Sequence, residues 1–237
     1  FVDSDDELSP NTLKSNLDYL ISHPEVDMLE YPVEVHADSD RAYRLSFPDE
    51  TQHTDIFADW IRREGYLHCY AWNKIYRREL WSETRFPVGA YYEDTAVMPA
   101  IVRQCRCIHY SSHGCYRYIM HPGTITTSYR YDKQRQLFEN NHRLYKEIKE
   151  NDTLRTEAMH LWICCLNLLI DMGRCTDADQ ADYHYMIDEA DAHHPSYKEL
   201  IKAAPDIATR AKLLPLPLMG LKAYCRSYTS LTKPLQP

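Results

Sequence analysis

Apolar residues follow two rhythms over the first 130 positions and a single rhythm after that. Leu13, Leu17, Leu20 and Ile21 recur at helical spacing behind Ser9-Pro10, which read as N-cap and first helical residue, and Pro24 closes the segment. Residues 26–35 and 42–47 have strand character around the Asp38-Ser39-Asp40 turn, and residues 54–64 form an amphipathic helix stopped by Gly65. A short apolar stretch at 69–72 precedes a brief helix at 77–83 and an irregular segment at 86–92 containing Pro87 and Gly89. A helix over 94–104 is expected to bury Val97, Ala100 and Ile101, and residues 106–110 and 115–120 alternate like a pair of strands. From Asp132 only helices are predicted: 132–150, 153–172 and 177–192, then shorter pieces broken by Pro195, Pro205, Pro215 and Pro217. Stripes such as Leu161, Cys165, Leu168 and Met172 read as packing faces. The fold class that follows is α/β, a partial mixed sheet flanked by helices over residues 1–130, followed by an all-α module with a basic tail over 131–237.

Composition narrows the class of protein. The 237 residues are 44% hydrophobic, enough for a core, and no stretch approaches the roughly 18 uncharged apolar residues of a membrane span. Net charge is −8, yet residues 196–237 carry seven Lys or Arg against two acids. The acidic body argues against nucleic acid as a partner. The leucine-rich tail, with Lys212, Lys222 and Arg226, suits peripheral contact with an anionic membrane through residues 212–226. The expected location is cytoplasmic, on the inner membrane face. Eight cysteines without a C-x-x-C pair read as reduced, core-filling thiols, and six scattered glycines make no phosphate-cradling loop.

Two acidic groups stand out as chemistry. Phe1-Val2 reads as the end of an apolar strand running into Asp3-Ser4-Asp5-Asp6-Glu7. Carboxylates packed this closely repel one another, and a divalent cation, Mg²⁺ or Mn²⁺, is the usual way to keep two of them ionised beside a phosphate. Glu93-Asp94 opens a predicted helix, where Asp94 reads either as an N-cap or as a base placed at a helix end.

Four segments taken together resemble the inverting family-two glycosyltransferases of GT-A fold. They are Phe1-Val2-Asp3-Ser4-Asp5-Asp6, similar to the D-x-D motif; Ala71-Trp72-Asn73-Lys74-Ile75-Tyr76-Arg77-Arg78-Glu79-Leu80, similar to the W-N-K-x-Y-R-R-E segment; Tyr92-Glu93-Asp94-Thr95-Ala96, similar to the E-D motif; and Tyr116-Arg117-Tyr118 with His121-Pro122-Gly123. The resemblance implies a nucleotide-sugar donor and a glycan or lipid-linked glycan acceptor in surface polysaccharide assembly. Asp3, Asp5 and Asp6 would be the metal ligands, Asp94 the catalytic base with Glu93 as its alternative, and His121 a contact to the donor diphosphate. Trp72, Asn73 and Lys74 would line the acceptor side. It also implies a nucleotide-binding half of roughly 80–100 residues ahead of the D-x-D motif, at about 30 residues per strand-helix-strand unit. Without that half, weak donor binding and pairing of two copies through an uncovered sheet edge are expected.

Two other classes remain open on sequence. A haloacid-dehalogenase-like phosphohydrolase also places Asp-x-Asp after an apolar strand, although Asp6-Glu7 stands where Gly-Thr usually follows. A non-catalytic helical interaction protein is compatible with residues 132–237 alone. A calcium loop fails, because Leu8 stands where glycine is needed and Lys14 where the bidentate glutamate should be.

Overall fold

The computed structural model describes residues 1–119 and 129–235, and its chain divides into two compact units. The first comprises Phe1–Val88 and Glu93–Thr124, and the second Gly89–Tyr92 and Ile125–Pro237. The sequence-based boundary was expected at 130/131.

The first unit is built on two parallel strand pairs. β2 (Met28–Glu30) runs parallel to β7 (Ile108–Tyr110), and β3 (Val33–Ala37) runs parallel to β8 (Tyr116–Ile119). Tyr31-Pro32 separates β2 from β3, and Pro32 lacks the N–H that would continue the ladder, so the pattern read as one strand over 26–35 becomes two. Each pair gains antiparallel neighbours: β5 (Glu50–Gln52) and β6 (Lys74–Tyr76) give the order β5-β7-β2-β6, while β1 (Glu7–Leu8) and β4 (Tyr43–Leu45) give β1-β8-β3-β4. Residues 106–110 and 115–120 therefore do not pair with each other as expected; each joins a different sheet. Val26, Leu29, Val33 and Tyr116 are fully buried, as strands covered on both faces require.

The helices of this unit depart from their sequence stripes. α1 (Thr12–Ser22) starts after Asn11, which takes a left-handed conformation, and so begins later than Ser9-Pro10 suggested. It buries Thr12, Asn16 and Leu20 and leaves Leu13, Leu17 and Ile21 outward. The polar face turns inward because it has partners there: Thr12 Oγ1 donates to the Ser9 and Cys115 carbonyls, and Asn16 Nδ2 to the Thr12 and His113 carbonyls. Leu13 and Leu17 line an apolar cleft of about 390 Å³ with Phe1, Ile75, Tyr76 and Trp81. Phe1 and Val2 are exposed and outside any strand, contrary to the strand end read from sequence. α2 (Ile56–Arg62) packs on α3 (Glu93–Gln104), whose buried residues are Val97, Met98, Ile101 and Val102; the expected Ala100 faces solvent.

The second unit is helical. α4 (Tyr131–Ile148) packs along α5 (Arg155–Arg174), and α6 (Gln180–Asp191), α7 (Tyr197–Ala203) and α9 (Leu216–Leu231) surround α5, with α8 (Ile207–Leu213) against α7. Leu161, Trp162, Cys165 and Leu169 of α5 are fully buried. α9 is longer than the proline spacing suggested, since Pro217 falls in its first turn, where a missing N–H costs nothing; its kink comes at Gly220, with φ 71°.

Candidate functional site

Asp94 stands in the first turn of α3, one residue inside its start, so it is not the cap residue expected from sequence. Its Oδ1 accepts from the Thr95 backbone N–H at 2.7 Å. Burial pushes its carboxyl up to about 6, opposed by the Thr95 N–H, reinforced by Glu93 and opposed again by the Lys74 ammonium. The apolar-sided environment thus outweighs the helix dipole that was expected to favour the ionised form. Cys69, Tyr70 and Tyr76 lie within electrostatic reach, and each is pushed up chiefly by its own burial and then by neighbours that include Asp94.

Beneath this carboxylate lies a buried ion pair. Lys74 Nζ is 3.0 Å from Glu30 Oε1 with both side chains inside, and it donates to the carbonyls of His68 and Tyr70 and to Asn73 Oδ1. Asn73 is itself fully buried and donates to Glu30 Oε1 and the Tyr31 carbonyl. Asn73 and Lys74 are therefore buried, with Lys74 in the wall of the cleft of about 390 Å³. They fix the 68–72 segment and hold a positive charge behind Asp94, and every donor of the ammonium is used. Trp72 is also more enclosed than expected: Tyr116 stacks on its indole at 4.1 Å between centroids and Tyr70 at 4.5 Å. Two rings that close cannot lie side by side on one face, so the indole is sandwiched and serves as an anchor. Glu30 went unread in the sequence; its signal was an acid inside the otherwise apolar segment 28–31.

The opening aspartates share this unit and this field. Burial raises the Asp3 carboxyl, and Asp6, Asp5 and then Glu93 raise it further, so the two acidic motifs lie within reach of each other. Asp6 is tied to β8, with Oδ2 accepting from the Tyr116 hydroxyl at 2.8 Å and Oδ1 from the Ile119 N–H at 2.8 Å, while the Asp3 N–H donates to the same hydroxyl. Asp6 thus shapes the turn, which the Asp6 N–H to Asp3 carbonyl bond closes. Among the described residues no three acidic, histidine or cysteine side chains converge as a ready metal cage. The crowding of negative charge on Asp3 is nonetheless what a divalent cation relieves, and Asp3 and Asp5 are the hard oxygen donors fitted to it. His121, with the turn that follows it, lies outside the described residues.

The basic tail is engaged within the second unit. Lys212 donates to Asn167 Oδ1, Lys222 is 3.5 Å from Asp188, and Arg226 faces His184 Nε2. Leu213, Leu216 and Leu221 are buried, while Leu214, Leu218 and Met219 of the same segment are exposed, so segment 212–226 packs one face and leaves apolar side chains on the other. No described helix is long and apolar enough to cross a membrane.

No protein-family model matches the chain, and no curated protein matches it. Among solved structures, S. aureus TarS 1–349 in complex with UDP-GlcNAc is similar in fold, with a TM-score of 0.52 and 19% sequence identity. The match covers 98% of this chain and 66% of that one.

Proposed function

We propose that the protein moves a sugar from a nucleotide-sugar donor to a glycan or lipid-linked glycan acceptor, with inversion at the anomeric carbon, and that Asp94 takes the acceptor's proton. The observation that carries this reading is a partly buried carboxylate with a raised pKa of about 6, set over a buried ammonium and within the field of a second acidic motif. A nucleotide sugar bound to a protein of like fold supports the donor class.

Asp94 is suited to the task on two counts. A value near 6 leaves it mostly ionised at neutral pH, yet makes it a better proton acceptor than an ordinary carboxylate. Lys74 lies behind it without a free donor, so the ammonium tunes the carboxylate without competing for the acceptor hydroxyl. Asp3 and Asp5 would hold a Mg²⁺ or Mn²⁺ ion, which supplies positive charge to the departing diphosphate. Asp6, held by Tyr116 and Ile119, keeps the turn that presents them. Assembly of a surface polysaccharide at the cytoplasmic face of a membrane is the setting that the motif resemblance favours.

The test is release of nucleoside diphosphate from a panel of nucleotide sugars, with Mn²⁺ or with a chelator, by the native polypeptide that contains this sequence. Asp94→Asn is expected to lower turnover about 10²–10⁴-fold while donor affinity stays within about twofold. Undiminished turnover by Asp94→Asn would remove the base. Cleavage of p-nitrophenyl phosphate without any nucleoside diphosphate release would favour the phosphohydrolase instead.

A further inference from the structure

A backbone irregularity in the first unit points to a place for the acceptor's sugar ring. In the parallel β3–β8 ladder Val33 is opposite Tyr116, Glu34 opposite Arg117 and Val35 opposite Tyr118. Tyr116 and Tyr118 therefore share one face with Val33 and Val35, while Arg117 and Glu34 share the other and pair there at 3.2 Å. Simple alternation would put His36 on the charged face. The register instead shifts between Val35 and Ala37, and His36 adopts φ 56°, a left-handed value that is costly for a side chain of its size.

The result is a ring that has changed sides. The His36 imidazole lies 6.0 Å from Tyr118 and 6.3 Å from Tyr43, measured between ring centroids. Its Nδ1 is buried without a hydrogen-bond partner, so the fold bears both a backbone cost and an unmet polar atom at this position. Tyr118 lies parallel to Trp72, which stacks on Tyr70, and Tyr70 feels both Asp94 and the hydroxyl of Tyr43. Tyr43, His36, Tyr118, Trp72 and Tyr70 thus form one aromatic cluster, closed where the Tyr43 and Tyr70 hydroxyls approach and lying within the field of the candidate base. Tyr43 is half exposed at its outer end, and Tyr118 and Tyr70 are partly open.

Resting on the transferase reading, we propose that Tyr43, Tyr118 and Tyr70 form a platform for a hexopyranose ring of the acceptor, and that the His36 bulge positions it. The chemistry fits a carbohydrate better than a peptide or a lipid. Faces of Tyr take the apolar C–H side of a pyranose, while phenolic hydroxyls at the rim meet its ring hydroxyls. The partly buried Trp72, stacked on Tyr70, keeps the cluster rigid, and a sugar lying on Tyr70 brings a hydroxyl toward Asp94. Sequence reading placed Trp72 on the acceptor side; the stacking partners put the rings around it there as well.

The experiment is saturation-transfer NMR with methyl β-D-glucopyranoside, methyl β-D-galactopyranoside and methyl N-acetyl-β-D-glucosaminide as probes. The wild type is expected to transfer magnetisation to ring C–H protons of at least one probe. Tyr43→Ala and Tyr70→Ala should weaken that binding fivefold or more, and Tyr43→Phe should restore most of it. His36→Asn tolerates the left-handed backbone, so thermal stability should hold or rise while sugar affinity falls. Probe binding is read without donor or metal and so does not depend on the transfer reaction: loss of transfer chemistry alone leaves this proposal standing. No signal with any of the three probes, or equal signals from the alanine variants and the wild type, would overturn it.

Discussion

The two units carry buried charge and backbone strain in different measure. In the first, Glu30 and Lys74 are fully buried, Asp94 is partly buried, and Asn11, His36, Asp38, Asp55 and Glu64 all carry positive φ. In the second, most core residues, such as Leu161, Trp162 and Cys165, are apolar and ion pairs such as Lys146 with Glu189 and Arg155 with Glu199 sit at the surface, with Lys133 and His142 buried and Tyr92 at φ 52° as the exceptions. A unit built only to be stable resembles the second. Costly features are retained where they position something, which is why the chemistry is assigned to the first.

The sharpest way to break that contrast is to remove one cation from each unit. Lys74→Met leaves the Glu30 carboxylate buried beside an unmet Asn73, and the expected loss is about 3–5 kcal/mol in urea unfolding. Lys146→Met removes a solvent-exposed partner of Glu189 and should cost within about 1 kcal/mol. Equal losses would mean that the buried pair is ordinary. The Lys74 variant has a second readout, because withdrawing a positive charge from behind Asp94 should raise that carboxylate further and shift any acid limb of the rate profile upward.

How much of this was legible in the sequence depends on how local each feature is. The D-x-D-like turn, the E-D pair and the helical second half could be read because spacing alone defines them. The inward polar face of α1 could not: Leu13 and Leu17 obey helical periodicity, but Thr12 and Asn16 find carbonyl partners at His113 and Cys115, about a hundred residues away. The same holds for β7 and β8, whose alternation is real but whose partners are β2 and β3. The W-N-K segment was recognisable, yet its burial depends on Glu30, and no local pattern links residue 30 to residue 74. The aromatic cluster was hidden for a further reason, since it relies on a bulge that reverses the side expected of His36.

Acid titration sharpens the comparison at a smaller scale. Asp94 is raised to about 6 from 3.8, so the stability of its neutral form is fully present below about pH 3.8 and is lost as pH rises through 6. His142 in the second unit lies the other way. Burial lowers it to about 4, with Lys146, His193 and Lys149 also lowering and Glu189 opposing, so its contribution is complete above about pH 6.5 and is lost as pH falls through 4. Between pH 7 and pH 4 the second unit should weaken through His142, while in the first unit the gain from Asp94 opposes the loss from His68 and His109, whose imidazoles burial also lowers, so the first should weaken less; hydrogen exchange followed unit by unit reads the difference. Asp94→Asn should raise the melting temperature at pH 8 and leave it unchanged at pH 3.5, while His142→Phe should flatten the acid loss. Faster exchange in α2 and α3 than in α4 and α5 on acidification would reverse the assignment.

The smallest effect concerns strain without function. Gly220 takes φ 71° and ψ 163° in the kink of α9, a backbone region essentially reserved for glycine; a Cβ added there meets nothing within 4 Å, so Gly220→Ala should cost only that backbone strain, about 1–3 kcal/mol. His36 also carries a positive φ, 56°, with a full side chain, and His36→Gly should relieve that strain. If strain in the first unit serves the site, the two substitutions must differ in more than sign. The α9 change should lower the melting temperature with no effect on pyranoside binding, whereas the bulge change should raise the melting temperature and weaken that binding. A His36→Gly variant that gains stability and keeps full sugar affinity would make the bulge a tolerated defect, and the two units would then differ only in composition.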